Sequence, residues 1–312
     1  MVSFEPDGFG PYAAASYCAD YLELLAWLHR APLWGDYDEY LRGADLRLSE
    51  TFVGGGLDEP AGIPEGHDEP ERLGSNESQE SKILFVKDIL HERAALLGDL
   101  YPFEISSDRL LRVRSNPNYL GLLALCHLHV SSDENGEAPT KVFERAVADT
   151  FRAAGLGAAV MGTSTGTDFR SALEAVCEEL GLSGDANAVT HSRWRKDDGA
   201  DCVVKFQFGE NRTGQWVFVG QATITGSQNW KKKGNEPSGK AWKGYLCLPD
   251  NPGKFLAVPH HVQRDVWQYL CSHIDGGIVI DRLRLCAMAS RECADLADAA
   301  ERLERAGVAE LS

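Results

Sequence analysis

The sequence predicts an α/β module over residues 131–312, preceded by a mostly helical region over residues 1–130. Three observations predict it. From Thr140 onward, amphipathic stripes of helical period alternate with short apolar runs, the pattern of helices layered on a sheet. Two strand-like runs, Asp201–Phe208 and Gln215–Thr225, flank the turn-forming stretch Asn211-Arg212-Thr213-Gly214. Residues 1–130, by contrast, carry long helical patterns and little extended sequence.

In the first region, Tyr12 to His29 is rich in Ala, Leu, Tyr and Trp at helical spacing. Gly54 to Glu80 holds eight acids against Arg72 alone and almost no large apolar residues, so it reads as an acidic loop or linker. Ser81 to Leu97 resumes a helix through Leu84, Ile89, Leu90, Ala94 and Leu97. Tyr101 to Ile105 is a short strand or turn, and Tyr119 to His129 an apolar helix. The polar stretch Ser131–Glu137 is the expected domain boundary.

In the second region, Phe143, Val147 and Phe151 recur every four residues from Thr140 to Ala154, ended by Gly155 and Gly157. Val160 to Gly162 is a short strand. Asp168 caps a helix with Phe169, Ala172, Leu173, Val176 and Leu180 on one stripe. After the hairpin comes a long loop rich in Gly, Lys and Trp, then a helix near Val262–His273. Gly276-Gly277 introduces an apolar strand from Ile278 that continues to Leu285, and Ser290 to Ala306 is a closing helix with Gly307 just beyond it.

The 312 residues fit about two domains at ~150 residues each. No apolar run approaches the ~20 residues a membrane span needs, and Met1–Asp7 lacks a basic segment leading into an apolar one. The expectation is a soluble, cytoplasmic chain without a membrane partner. A net charge of −16 argues against a uniformly basic nucleic-acid coat, yet residues 191–243 hold ten Lys/Arg and five Asp/Glu. None of the eight cysteines lies in C-x-x-C spacing, which argues against a structural zinc site; most are expected to be small buried residues. Gly162-Thr163-Ser164-Thr165-Gly166 lacks the Lys that ends a phosphate-binding loop.

The hairpin carries the most chemistry. Asp197-Asp198-Gly199-Ala200-Asp201 sets a carboxylate at the head of one strand, and Gln221 brings an amide oxygen on its partner. Hard oxygens of this kind suit Mg²⁺, and Glu144 on the preceding helix offers a third. Lys205 and the run Lys231-Lys232-Lys233 supply positive charge for an anionic substrate, together with Arg193 and Arg195. Trp216, Trp230 and Trp242 have faces on which bases can stack. Each residue also has a plain alternative: Asp201 closing a turn, Gln221 as a paired core amide, Glu144 and the lysines as solvated surface. His127, His129, His260 and His261 read as structural or loop residues, and Arg282 and Arg284 as sharing one strand face.

Phe143-Glu144 on a helix, the run ending in Asp201, Gly220-Gln221, and the downstream Asn229-Trp230-Lys231-Lys232-Lys233 together resemble the PD-(D/E)XK nuclease superfamily. More narrowly they are similar to restriction-endonuclease-like proteins of bacterial antiviral defence systems. Tyr101–Glu104 and Gly277–Leu285 resemble further landmarks of that group. The resemblance implies a restriction-endonuclease-like mixed sheet flanked by helices, and a Mg²⁺- or Mn²⁺-dependent DNA endonuclease acting as a homodimer or as a subunit of a defence complex. It implies Glu144, Asp201 and Gln221 as metal ligands. The lysine of the (E/Q)-x-K strand is absent, because Thr223 stands in its place. Lys233 and then Lys205 are the candidates to replace it; with neither, the chain is a catalytically impaired scaffold or nucleic-acid-binding subunit of the same fold.

Overall fold

The computed structural model describes residues 11–29, 33–34, 79–130, 137–162, 168–185, 198–209 and 215–310. Nearly all of the acidic stretch 54–80, the hairpin turn 211–214, and Arg193 and Arg195 therefore lie outside the described residues. The chain divides into two compact units, Met1–Asn116 with Gly226–Gln228 and Gly307–Ser312, and Pro117–Thr225 with Asn229–Ala306. The second unit thus begins at Pro117, so the apolar helix expected before the 131–137 boundary belongs to it.

In the first unit, α1 (Pro11–His29) packs on α2 (Gln79–Leu97) and on an antiparallel pair, β1 (Phe103–Ile105) and β2 (Leu110–Arg112). Leu22, Leu25, Ile89, Leu90, Tyr101, Phe103 and Leu110 form its buried apolar residues. A charged network is buried among them. Arg93 Nη1 lies 2.8 Å from Asp20 Oδ1 and 2.9 Å from Glu23 Oε2, and all three side chains are at most 2% exposed. Arg93 Nη2 donates to the Ser16 carbonyl and hydroxyl, and the Tyr101 hydroxyl donates to Glu23 Oε1 at 2.7 Å. Buried charges persist only when paired and hydrogen-bonded in this way.

The second unit is a mixed α/β fold built on a five-stranded sheet. Its strands are β3 (Gly157–Val160), β4 (Cys202–Lys205), β5 (Val217–Ala222), β6 (Gly253–Ala257) and β7 (Gly277–Ile280), lying side by side in chain order. β4 is antiparallel to both neighbours, while β5, β6 and β7 run parallel. The helices are α3 (Pro117–Val130), α4 (Pro139–Ala153), α5 (Phe169–Leu180), α6 (Trp230–Asn235), α7 (Gly239–Tyr245), α8 (Arg264–His273), α9 (Arg282–Met288) and α10 (Ala294–Glu310).

The stripe Phe143, Val147 and Phe151 buries α4 on one face of the sheet, where the Phe151 ring meets Phe255 edge-on at 5.1 Å. On the other face, Phe169, Leu173 and Val176 of α5 pack with Val203, Val217, Val219 and Trp242. The Asp168 carboxylate accepts from the Arg170 and Ser171 amides, and Gly181 ends α5 in the left-handed region at φ 58°. No helix among the described residues is long and apolar enough to cross a membrane.

Four expectations change. The Gly/Lys/Trp stretch after the hairpin forms two short helices, α6 and α7, because Trp230 and Trp242 are buried at 4% and 0% exposure and anchor them to the sheet. The strand expected to reach Leu285 stops at Ile280. There Asp281 accepts from the Arg284 amide and starts α9, so Arg282 and Arg284 share no strand face. The strand expected at 160–162 lies earlier, at 157–160. Finally, α10 runs through Gly307 to Glu310 and so does not end at that glycine.

Candidate functional site

The run before β4 folds into a tight turn, with Asp198 and Gly199 both in the left-handed region at φ 43° and 77°. Asp198 is held inside: its carboxylate accepts from the Tyr245 hydroxyl at 2.9 Å and its carbonyl from Trp242 Nε1 at 3.2 Å. The Gly199 backbone presses on that of Glu236, so that a Cβ there would lie 2.6 Å from the Glu236 carbonyl carbon. The turn delivers Asp201 to the head of β4. The register pairs Cys202 with Gly220, which brings Asp201 alongside Gln221 at the end of β5.

Both residues have structural partners as well. The Asp201 amide donates to the Gly220 carbonyl, and Asp201 Oδ2 accepts from the Ala222 amide at 2.9 Å. The carboxylate thus stands where a strand carbonyl would, at the edge of the sheet plane. Gln221 is buried at 3% exposure. Strand alternation gives it the face of its register partner Leu256, which packs under Trp230 of α6. Thr223 cannot replace the absent ammonium; its hydroxyl lies 2.8 Å from that of Thr225.

The lysines separate. Lys205 sits at the far end of β4, buried at 5% exposure, with Nζ donating to the Leu180 and Gly181 carbonyls at 3.0 and 3.4 Å. It caps the C-terminus of α5, where orphan carbonyls and the helix dipole favour a cation. Lys233 lies on α6, the helix that covers the Gln221 face, and its Nζ is 2.9 Å from Glu236 Oε2. That pair is about two-thirds buried, and through Glu236 it adjoins the turn that carries Asp201. Lys231 and Lys232 are exposed, with Lys231 Nζ 5.7 Å from the centre of the Tyr269 ring. Glu144, partly exposed, comes from α4 on the opposite face from Gln221. A cation shared by Glu144, Asp201 and Gln221 would therefore lie at the strand ends rather than over either face.

Comparison with family models, curated proteins and solved structures finds no match to this chain. The geometry alone carries the functional argument.

That geometry includes groups the sequence reading passed over. Glu236 is one; its only sequence signal was a lone acid following the lysine run. Beyond the ends of β6 and β7 lies a buried polar layer. His260 Nε2 is 3.0 Å from the Ile224 carbonyl, which only accepts, so Nε2 carries the proton and Nδ1 faces Cys126 Sγ at 3.6 Å. Arg282, fully buried, donates from Nε to the Pro259 carbonyl at 2.8 Å. His261 Nδ1 lies 3.6 Å from Asp281 Oδ2. Burial holds His129 below the ordinary imidazole range, and the nearby His260, whenever it is protonated, adds to the effect.

A second oxygen-and-sulfur grouping, Asp149, Cys293 and Asp295, has ligand atoms within 4.8 Å of one another. Arg145 takes both Asp295 oxygens and Arg152 takes Asp149, so arginine already neutralises these carboxylates. Cys126, Cys177, Cys202, Cys286 and Cys293 are buried thiols, and burial pushes Cys177 up to about 11. Of Trp216, Trp230 and Trp242, only Trp216 is exposed.

Proposed function

We propose that this chain is a metal-dependent endodeoxyribonuclease, or the nuclease subunit of a larger assembly, built on a restriction-endonuclease-like sheet and working in the cytoplasm in bacterial antiviral defence. The observation that supports this most is one neighbourhood at the ends of β4 and β5: the Asp201 carboxylate, the Gln221 amide and the adjoining Lys233–Glu236 pair. Carboxylate and carboxamide oxygens fit Mg²⁺ or Mn²⁺, and the cation when bound supplies Lewis-acid stabilisation of a phosphodiester. Asp201 and Gln221 would hold it. Lys233, released from Glu236, would orient the attacking water and offset the charge gathering on phosphorus. Lys231 and Lys232 lie exposed on the same short helix and would meet the phosphate backbone.

The test is plasmid nicking with Mg²⁺ and Mn²⁺, comparing wild type with Asp201→Asn and Lys233→Met. Nicking that needs the cation and falls at least a hundredfold in both variants is expected. Equal nicking in wild type and Asp201→Asn would remove the catalytic assignment. The second reading, a nuclease-fold scaffold or nucleic-acid-binding subunit, is favoured by one observation: both candidate lysines already have partners, Lys205 at α5 and Lys233 at Glu236. Salt-sensitive DNA binding by a chain with no nicking would select it.

A further inference from the structure

At the opposite ends of β4 and β5 from Asp201, three aromatic rings stand in solvent. Phe206, Phe208 and Trp216 are 39%, 53% and 64% exposed. Their centroids lie 5.7 to 6.2 Å apart. The Phe206 amide donates to the Trp216 carbonyl, so the strand ladder itself fixes the cluster. Trp216 also forms a wall of a pocket of about 490 Å³, with Phe218 and Leu248 as apolar lining and Gln215, Asp250 and Asn251 as polar lining. A contiguous exposed apolar patch of a few hundred Å² is often a functional surface.

The size of the patch limits what covers it. At ~150–250 Å² per aromatic side chain, the exposed fractions amount to roughly 350 Å². A stable dimer needs about 800 Å² from each partner, so a second copy of the chain is a poor occupant. The pocket volume lies in the ordinary range for a small ligand or a single inserted group.

The chemistry of the lining narrows it further. Gln215 and Asn251 offer amide donors and acceptors and Asp250 an acceptor, arranged around an aromatic wall, and among the described residues no Lys or Arg lines the pocket. Such a site suits a flat, uncharged, edge-polar group and rejects a phosphate. Positive charge flanks it: Lys240 and Lys243 lie on α7, whose Gly239 backs on Asn251, and Lys254 follows the lining Gly253. A lining with a single carboxylate, flanked by lysines on neighbouring elements, matches a polyanion whose rings are uncharged.

We infer that Trp216, Phe206 and Phe208 form a stacking platform that takes an unpaired nucleobase of single-stranded nucleic acid, with Gln215, Asp250 and Asn251 meeting the edge of the base. The site is independent of hydrolysis, since it shares no residue with Asp201, Gln221 or Lys233. Stacking on aromatic side chains tolerates every base, because each has a π face. The edge contacts add preference among bases.

The test is fluorescence anisotropy of the full chain with a fluorescein-labelled oligodeoxyadenylate about eight nucleotides long, beside the same backbone carrying abasic sites. Wild type should prefer the base-bearing strand by at least about tenfold, and Trp216→Ala should remove that preference. Trp216→Phe should retain most of it, and Asn251→Ala should change the ranking among homopolymers. The base preference is read in EDTA, where no metal-dependent nicking occurs, so absent nicking leaves this inference standing. Equal affinity for the abasic strand would overturn it. So would unchanged binding by Trp216→Ala, or Trp216-dependent capture of a proline-rich peptide or a second copy with no base dependence.

Discussion

Replacing Lys205 with alanine separates a structural ammonium from a catalytic one. The change removes three buried methylenes, worth ~0.8 kcal/mol each, and two hydrogen bonds from a charged donor, together worth ~1.5–3 kcal/mol after the relieved desolvation is counted. The Leu180 and Gly181 carbonyls at the end of α5 lose their only cationic neighbour seen at hydrogen-bonding distance among the described residues. The expected loss is about 4–5 kcal/mol, or a fall of roughly 10–15 °C in Tm for a domain of this size. Lys205→Met keeps the apolar stem and discards the buried charge, so it should recover at least half of that loss. Urea titrations of the three proteins, followed by far-UV circular dichroism, measure the differences at matched m-values. Should Lys205→Ala unfold within about 0.5 kcal/mol of wild type while abolishing nicking, Lys205 would be catalytic and the capping argument wrong.

Three further outcomes follow from the packing. Arg93→Met strands the buried Asp20 and Glu23 carboxylates without their shared guanidinium, and a loss of about 3–5 kcal/mol in chemical unfolding is expected. Gly121→Ala would set a methyl 2.2 Å from the Leu296 carbonyl oxygen; thermal melts should show about 1–3 kcal/mol of destabilisation despite alanine's better helix propensity. His129 resists protonation in the fold. Below the ordinary imidazole value of about 6.5 the unfolded chain therefore binds a proton that the native chain refuses, and stability falls with pH there. His129→Gln should flatten the Tm profile between about pH 7 and pH 5.5.

The sequence was legible wherever one signal dominated. The Phe143, Val147 and Phe151 stripe has no rival period, and it is buried as expected. Asp168 starts α5 as a cap should, its carboxylate accepting from the Arg170 and Ser171 amides. Legibility failed where two signals overlapped. Arg282-Leu283-Arg284-Leu285 alternates like a strand, but the carboxylate of Asp281 claims the Arg284 amide and turns the chain into a helix. Lysines and glycines in 231–244 read as loop, because nothing local announces that Trp230 and Trp242 will be buried 4% and 0% exposed under distant strands. In the candidate site, spacing within one hairpin was enough to bring Asp201 beside Gln221. The fates of Lys205 and Lys233 depended on α5 and on Glu236, which strand periodicity does not reveal.

Asp201 also fixes how any activity assay on this chain must be built. Its Oδ2 accepts the Ala222 amide at 2.9 Å, on the residue next to Gln221. Alanine at 201 would strand a buried amide at a cost of ~1–3 kcal/mol and loosen the end of β5. A dead alanine variant would thus report a displaced Gln221 as readily as a lost metal ligand. Asparagine keeps an acceptor oxygen for Ala222 while removing the negative charge that a divalent cation needs. Asp201→Asn should therefore melt within about 1 kcal/mol of wild type, and its nicking should be lost without any loss of fold. If it instead unfolds early, the charge at 201 serves the sheet before it serves chemistry, and Gln221→Leu becomes the variant on which the nuclease reading must be judged.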